Sequence, residues 1–361
     1  MSEMMMLVRA DAGPQIGIGH VMRCLALAQA WLKVGGKATF VSAAPNPVLE
    51  ARLIEEGMHI AHIAAQPGSD EDVQQMVRLA RRKEAAWVVV DGYHFGATYQ
   101  HALKANALRV FWIDDYGHAE YYAADWVLNQ NIHGDESLYR NRESYTRLLL
   151  GPRYALLRGE FLNWRNRRRS IPEVARKVLV TMGGGDPANI TLRVIRALDK
   201  VAVEGLEIIV VVGSTNPHVE MLKATVRESK LIIQLKQTTS EMPELMAWAD
   251  LAVSGGGSTC WELTFMGVPS LVMVLAENQL GIAGGLEQAG VAINLGWSHQ
   301  VSDTEMAKTL QGLCQARGQR AHMSWLGRQL VDGTGASRVL QSLCVGQGIR
   351  EECDADSFVC Q

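Results

Sequence analysis

The chain has 361 residues, of which 48% are hydrophobic and 20% are charged, so it is long and apolar enough to build two ordinary domains. Its formal net charge of −3 gives no basic bias, which argues against a nucleic-acid partner and favours a small-molecule ligand. No segment approaches the roughly 18 uninterrupted apolar residues of a membrane-spanning helix, and the first apolar run is too short for a signal peptide. We therefore expect a cytoplasmic protein without integral membrane association, and we expect it to be a monomer.

Apolar runs alternate with helical patterns through the first half of the chain. The strands that this pattern predicts are residues 4–8, 38–41, 86–90, 109–113 and 126–128. Alternating strands and helices are the signature of βαβ units, which build a parallel sheet with helices on both faces. The first half is therefore predicted to be an α/β domain.

A glycine-rich turn with one histidine follows the first predicted strand. Gly17 and Gly19 have no Cβ, so the backbone there can approach a ligand closely, and the N–H groups of the next turn suit an anion. His20 lies in the first turn of a predicted helix, whose partial positive charge should keep the imidazole neutral and able to accept a proton. A tight turn whose histidine only caps the helix is the alternative. The turn lacks the third glycine of a dinucleotide-binding fingerprint, so NAD is not expected.

The pattern of strands stops between residues 152 and 174. Arg165 and the basic run 167–169 lie in this segment, ahead of a Ser-Ile-Pro sequence. This composition predicts an exposed linker with a solvated basic surface. We place the domains at 1–165 and 166–347, followed by a polar tail at 348–361.

The second half repeats the α/β plan. Its predicted strands are residues 178–182, 207–212, 231–234, 251–253, 270–274 and 292–295. A last helix is predicted at 336–344, with room to pack back on the body of the protein. Two α/β units in series are therefore expected.

Two glycine-rich loops follow predicted strands of the second half. Residues 183–189 run Gly-Gly-Gly-Asp-Pro-Ala-Asn, and residues 254–259 run Ser-Gly-Gly-Gly-Ser-Thr. The N–H groups of such loops can face phosphate, and two of them at neighbouring strand ends favour an anion site. Each loop could instead simply connect a strand to a helix. The candidate binding residues in these loops are Gly184, Gly257, Ser258 and Thr259.

Glu262 lies in the first turn of the helix after the second loop. Thr259-x-x-Glu262 has the spacing of a capping box, in which the carboxylate satisfies backbone N–H groups without any ligand. The alternative is that Glu262 accepts hydrogen bonds from both hydroxyls of a ribose. The spacing is compatible with both.

The cysteines and histidines form no metal-binding pattern. The six cysteines contain no CxxC pair, and the histidines contain no HExxH or HxxxH arrangement. Cys24 and Cys260 lie in apolar helical surroundings and are predicted to be buried thiols. We predict no metal and no cofactor.

Three motifs of this chain occur together. Arg-x-Asp-x4-Ile-Gly-x-Gly-His-x-x-Arg spans residues 9–23, Gly-Gly-Gly-Asp spans 183–186, and Ser-Gly-Gly-Gly-Ser-Thr-x-x-Glu spans 254–262. This combination resembles the GT-B nucleotide-sugar enzymes, and most closely the PseG family, over roughly residues 4–345. That family hydrolyses UDP-2,4-diacetamido-2,4,6-trideoxy-β-L-altropyranose in pseudaminic acid biosynthesis and is similar in fold to the glycosyltransferase MurG. The resemblance implies a GT-B fold: two Rossmann-like parallel-sheet domains that face a central cleft.

The resemblance also implies roles for individual residues. His20 matches the catalytic histidine, which takes a proton from the water that attacks the anomeric carbon. Tyr93 matches an active-site tyrosine, and Asn278 matches an asparagine that contacts the sugar and pyrophosphate. The positions that match nucleotide-holding residues are Gly184, Ser258 and Glu262.

Cleavage of the sugar C1–O bond needs a base on one side and charge stabilisation of the departing diphosphate on the other, without a metal. Direct attack by water predicts inversion at C1. Asp11 is a candidate to orient His20 or a sugar hydroxyl, and Arg23 could pair with Asp11 or with phosphate. A structural Asp11–Arg23 ion pair is equally compatible. The adjacent Asp114 and Asp115 also end a strand, and the sequence assigns them no role.

Three other functions fit parts of this pattern. A GT-B glycosyltransferase would pass the sugar to an acceptor and would need an acceptor pocket. A UDP-sugar 2-epimerase would need several carboxylates near the sugar, and the first domain offers few. A binding module that kept the nucleotide clamp but lost the chemistry would have little reason to keep His20 and Tyr93 together.

Overall fold

The computed structural model describes residues 4–13, 17–213, 216–237 and 241–345, and the first half of the chain forms one parallel sheet. The strands of this sheet are Met5–Ala10 (β1), Lys37–Ser42 (β2), His59–His62 (β3), Ala85–Asp91 (β4), Val110–Ile113 (β5), Trp126–Asn129 (β6) and Arg147–Leu150 (β7). Within the described residues their order is β3-β2-β1-β4-β5-β6-β7.

The second half forms another parallel sheet. Its strands are Lys177–Thr181 (β8), Glu207–Val212 (β9), Ile232–Gln237 (β10), Leu251–Gly255 (β11), Ser270–Val274 (β12) and Ala292–Trp297 (β13). In the part of the chain that the structure describes, their order is β10-β9-β8-β11-β12-β13. The two sheets confirm the prediction of two α/β units of GT-B type.

Helices cover both faces of each sheet. In the first half they are Gly19–Lys33 (α1), Pro47–Glu55 (α2), Asp70–Arg82 (α3), Ala97–Ala105 (α4) and Gly159–Leu162 (α5). In the second half they are Ile190–Leu198 (α6), Val219–Glu228 (α7), Met242–Trp248 (α8), Thr259–Phe265 (α9), Leu280–Gln288 (α10), Asp303–Gln315 (α11), Arg317–Leu330 (α12) and Gly335–Val345 (α13). Short 3-10 helices lie at Glu136–Tyr139, Pro152–Tyr154 and Glu277–Gln279.

Each sheet separates two apolar cores. In the first half, α1 packs on one face and α3 and α4 pack on the other. In the second half, α6 and α11 lie on one face, while α8, α9 and α10 lie on the other. Strands buried on both faces are rich in Val, Ile and Leu, which is why their apolar runs predicted them well.

The strand order reverses direction at one point in each sheet. In the first sheet this point lies between β1 and β4, and in the second it lies between β8 and β11. Loops that leave two such strands diverge to opposite faces and open a crevice at the carboxyl edge, where α/β proteins bind ligands. The glycine turn after β1 and the two glycine loops after β8 and β11 all lie at these points.

Two edge strands of the first sheet were not predicted from the sequence. Residues His59–His62 form β3 with a half-exposed sequence, and Arg147–Leu150 form β7 at the other edge. An edge strand of four residues buries too little surface to carry a continuous apolar run. The central strands were predicted because they are buried in the sheet interior, and the edge strands β10 and β13 were also found because each has six residues with a longer apolar run.

The segment after residue 152 was predicted to be an exposed linker, but part of it is buried. Leu157 and Phe161 are buried in the second core. Arg165 donates a hydrogen bond to the carbonyl of Gly333 at 2.6 Å, and Arg169 donates to three carbonyls, including that of Met266 at 3.2 Å. These arginines donate hydrogen bonds to backbone carbonyl groups instead of forming a solvated surface. Residues 167–168 are exposed, as expected.

The last described helix returns to the first half of the molecule. In α13, Val339, Leu340 and Leu343 are buried in the same core as α1. This helix is present where the sequence predicted it, but it packs on the first unit although its position in the chain lies within the second. The predicted tail at 348–361 lies outside the described residues, and the boundary between the domains stays a prediction.

Candidate functional site

His20 is held at the start of α1 by a carboxylate from the neighbouring strand. Gly17 adopts a φ of +75°, which favours glycine, and α1 begins two residues later. Asp91 ends β4, whose register places it beside Ala10 of β1. The Nδ1 atom of His20 lies 2.6 Å from Asp91 Oδ1, and both side chains are buried. The structure thus confirms that His20 lies in the first helical turn after the glycine turn.

The Asp91 contact sets the tautomer of His20. A carboxylate can only accept a hydrogen bond, so Nδ1 carries the proton that is donated to Asp91. In the neutral ring, Nε2 then keeps its lone pair and can accept a proton.

Arg23 joins two carboxylates behind His20. Its Nε lies 2.6 Å from Asp91 Oδ2, and its Nη1 lies 2.6 Å from Asp115 Oδ1. Burial disfavours the charged form of Asp91, but Arg23 and His20 outweigh it and hold the pKa of Asp91 well below its usual range. The balance at Asp115 is similar, with burial opposed mainly by Arg23, and lowers its pKa to about 2. Both groups are therefore carboxylates at neutral pH.

Asp115 extends this network to a residue of the second half. The hydroxyl of Tyr93 donates to Asp115 Oδ2 at 2.6 Å, and Asn278 Nδ2 donates to the Tyr93 oxygen at 2.8 Å. The Tyr93 ring lies edge-on to the His20 ring at 4.8 Å between centroids. Burial and the Asp115 charge raise the pKa of Tyr93 far above its ordinary value, so it stays a neutral phenol. The structure brings the predicted residues His20, Tyr93 and Asn278 together.

Asp11 does not orient His20, and the predicted ion pair of Asp11 with Arg23 is wrong. Asp11 instead pairs with Arg9 at 2.7 Å and with His94 at 3.3 Å. Side chains alternate across a strand, so Arg9 and Asp11 point to the face that packs on α3, whereas α1 covers the other face. Asp91, from the next strand, takes the position that was predicted for Asp11.

The glycine positions bring the two halves close to each other. A Cβ on Gly19 would lie 3.5 Å from the Ser258 hydroxyl, and a Cβ on Gly184 would lie 3.8 Å from Ile18. A Cβ on Gly257 would meet no described atom within 4 Å, which leaves space beside this loop. The glycine turn after β1 therefore faces both glycine loops of the second half. Thr259 begins α9 behind the second loop.

Glu262 does not form the capping box. No side chain caps the N-terminus of α9, and Glu262 Oε1 instead accepts hydrogen bonds from Arg158 Nε at 3.1 Å and Nη2 at 2.9 Å. Burial raises the pKa of Glu262, although Arg158 opposes this. Arg158 was not predicted from the sequence because it lies in the segment interpreted as a linker. Asp91 was not predicted to orient His20, although its place at the end of a central strand pointed to the site.

Of the two adjacent aspartates, Asp115 belongs to the site and Asp114 stabilises a loop. Asp114 accepts a hydrogen bond from Tyr122 at 2.5 Å and binds the backbone N–H groups of Tyr116 and Gly117. These contacts fix the loop after β5. Asp115 faces Arg23 instead, as described above.

The described residues provide neither a cluster of metal ligands nor a membrane-spanning helix. None of these residues form a group of three or more His, Cys, Asp or Glu side chains that could hold a metal ion. In the same part of the chain, every helix is too short or too polar to cross a membrane.

Similar proteins support the fold and identify a family. Residues 178–325 match the glycosyltransferase family 28 C-terminal domain. Among solved structures, MurG of Acinetobacter baumannii aligns with a TM-score of 0.64 at 16% identity, over 94% of this chain and 99% of that one. Anabaena HepE in complex with UDP-glucose aligns with a TM-score of 0.63 at 13% identity, over 95% and 100%. At these identities the structures show the GT-B fold alone.

Two curated relatives are similar in sequence. The UDP-2,4-diacetamido-2,4,6-trideoxy-β-L-altropyranose hydrolase of Campylobacter jejuni is 26% identical over 222 residues, 61% of this chain and 73% of the relative. The spore coat polysaccharide biosynthesis protein SpsG of Bacillus subtilis is 30% identical over 336 residues, 91% of this chain and 95% of that protein. The chain therefore has a GT-B fold and belongs to the same protein family as SpsG.

Proposed function

We propose that this protein is a UDP-sugar hydrolase that cleaves the C1–O bond of UDP-2,4-diacetamido-2,4,6-trideoxy-β-L-altropyranose with inversion. Its products would be UDP and the free sugar. The observation that carries the proposal is the contact of His20 Nδ1 with Asp91 at 2.6 Å, which leaves Nε2 as a proton acceptor beside the cleft. The similarity to the Campylobacter jejuni hydrolase supports the choice of substrate.

His20 is the general base in this proposal. Its Nε2 takes a proton from a water molecule while the water oxygen attacks the anomeric carbon. Asp91 holds the ring in the required tautomer and stabilises the imidazolium that forms, as a buried carboxylate does behind a catalytic histidine. Asp11 acts only through its neighbours, because its contacts lie on the other face of the sheet.

The second half holds the leaving group. The N–H groups at the glycine loops after β8 and β11, and the start of α9, favour the negative charge that develops on the diphosphate. Gly17, Gly19, Gly184, Gly257, Ser258 and Thr259 line the two sides of this cleft. Asn278 lies within hydrogen-bond distance of Tyr93 and can contact a sugar placed between the halves.

A glycosyltransferase that uses a UDP-sugar donor is the second candidate function. The match to the glycosyltransferase family 28 C-terminal domain favours it. In that reaction His20 would remove a proton from an acceptor hydroxyl instead of from water. The two functions differ only in the nucleophile, so an assay without an acceptor separates them.

The test is hydrolysis of the named UDP-sugar by the purified protein with EDTA present, followed by NMR of UDP release and of the anomer first formed. We expect release of UDP with an inverted anomer, and we expect His20→Ala to lower turnover by about a hundredfold or more while UDP affinity is retained. The control is His59→Ala, because His59 is exposed on the edge strand β3. Tight binding of the substrate without UDP release would contradict hydrolysis and favour a transferase or a binding module.

A further inference from the structure

An arginine from the segment that connects the two halves holds the carboxylate of Glu262. Arg158 lies just before α5, and its guanidinium is buried. Both of its hydrogen bonds to Glu262 end on Oε1, at 3.1 Å and 2.9 Å. Among the described residues, no hydrogen bond engages Glu262 Oε2. One oxygen of this carboxylate is thus fixed and the other is available.

Arg158 is itself held in place by its neighbours in the connecting segment, one of which pairs with the first half of the molecule. It pairs with Glu160 at 2.9 Å, and Glu160 pairs with Arg52 of α2 at 3.2 Å. Its guanidinium also lies over the Phe161 ring, 5.0 Å from the centroid. These contacts restrict the rotamers of Arg158, so the guanidinium is preorganised before any ligand arrives.

We propose that Arg158 is the positioning residue of the nucleotide site: by gripping Oε1 and supplying the counter-charge, it orients the Glu262 carboxylate and leaves Oε2 to accept hydroxyl groups of a ribose. This inference rests on the proposed function, together with the expectation from the family resemblance that Glu262 binds the ribose of the nucleotide. A charged acceptor makes stronger hydrogen bonds to hydroxyls than a neutral one. Arg158 therefore acts on the nucleotide through Glu262.

The charges around Glu262 make this role measurable by pH. Arg158 is the cation that faces Glu262, while Glu160 lies close enough to disfavour its charge and the buried thiol of Cys260 lies on the same helix. Glu56 acts on Arg158 from α2. Burial already raises the pKa of Glu262, and loss of Arg158 would raise it further because Glu160 would remain.

The experiment measures the dissociation constant of UDP from pH 6 to pH 9 by calorimetry. In Arg158→Gln, we expect UDP binding about tenfold or more weaker at the acid end of this range, with recovery toward the wild-type value as the pH rises and more of Glu262 is ionised. Glu262→Gln should bind weakly with no such recovery. The dissociation constant of Arg158→Lys should lie between those of Arg158→Gln and the wild type. Lysine keeps the positive charge but lacks the two guanidinium N–H groups that bond to Glu262. Arg153→Gln is the matched control, since Arg153 lies in the same segment and is exposed.

Two results would overturn the inference. In the first, Arg158→Gln and Arg158→Lys bind UDP as the wild type does at every pH. In the second, both lose affinity by the same factor at every pH, which indicates a direct contact with phosphate. Circular dichroism checks that each variant is folded. If Arg158→Gln does not fold, the more conservative Arg158→Lys still tests the inference. Failure of the wild type itself to bind UDP would overturn the nucleotide site and the proposed function with it.

Discussion

His20 depends on residues that are distant in sequence. Asp91 fixes its tautomer, and Arg23 lies between Asp91 and Asp115 so that neither carboxylate is left without a counter-charge. Breaking a buried ion pair by removing one partner leaves an uncompensated charge, which is costly. His20 and Asp91 are therefore held in place by the fully paired charges of Arg23 and Asp115.

Asp91→Asn tests the orienting role of Asp91. An amide can offer its N–H₂ group to Nδ1 and so favours the wrong tautomer, which moves the proton onto Nε2. In the hydrolase assay we expect turnover to fall by about a hundredfold or more, with little change in the dissociation constant of UDP. Asp114→Asn is the control, because Asp114 is also buried at a strand end but contacts Tyr122 instead of His20. Equal losses in both variants would contradict the orienting role.

The depressed pKa values of Asp91 and Asp115 predict a loss of stability in acid. In the unfolded chain these carboxyls have a pKa of about 3.9. A carboxyl whose pKa is lower in the folded state stabilises the fold fully above its unfolded pKa and loses this contribution as the pH falls through the folded pKa. The free energy of unfolding should therefore fall between about pH 4 and pH 2.

Urea unfolding from pH 7 to pH 2.5 measures this loss. Asp115→Asn should be less stable than the wild type at pH 7. Its free energy of unfolding should decline less steeply below pH 4, because one of the carboxyls that take up a proton there is missing. Glu228→Gln is the control, since Glu228 is exposed on α7 and should keep the wild-type slope. An Asp115→Asn curve as steep as that of the wild type would show that Asp115 does not carry the effect.

At the scale of elements, the sequence predicted the central strands and missed two short edge strands and the buried residues of the segment after residue 152. The central strands were found because burial on both faces requires continuous apolar runs. β3 and β7 were missed because each is an edge strand of only four residues, whereas the edge strands β10 and β13 have six residues and were found. Asp11 was assigned to the wrong partner because strand alternation, which places it on the α3 side, was not applied beyond the end of β1.

Helix α10 offers a matched pair of glycines for testing the contact between the halves. A Cβ on Gly285 would collide with Ile132 of the loop after β6, whereas a Cβ on Gly284 would meet no described atom within 4 Å. Gly285→Ala should therefore cost about 1–3 kcal/mol from overpacking. Gly284→Ala should be neutral or stabilise by up to about 1 kcal/mol, because alanine favours helix.

Thermal and urea unfolding of both α10 variants test this difference. The UDP-sugar assay should also show lower turnover for Gly285→Ala alone, because Ile132 neighbours Asn131, which donates to Asp115 at 2.7 Å. Equal stability of the two variants would mean that the loop yields to the added methyl group without cost.

At the scale of the whole molecule, the site is built where two sheets present their reversal points to each other. The sequence could predict that the loops after β1, β8 and β11 carry the site, because that follows from each sheet alone. The Tyr93–Asn278 and Arg158–Glu262 contacts depend on how the halves face each other, and no local pattern encodes that. The resemblance to a known family placed Tyr93 and Asn278 in one site, whereas Arg158 needed the structure.

The return of α13 to the first half means that the described part of the chain crosses between the halves twice, once near residues 155–157 and once between residues 331 and 336. A body joined to another by a single strand can swing and twist freely. One joined at two separate points can turn only about the line through both points. Two connections at separate points therefore restrict the relative rotation of the halves more than one connection would, which helps to keep Ser258 opposite Gly19.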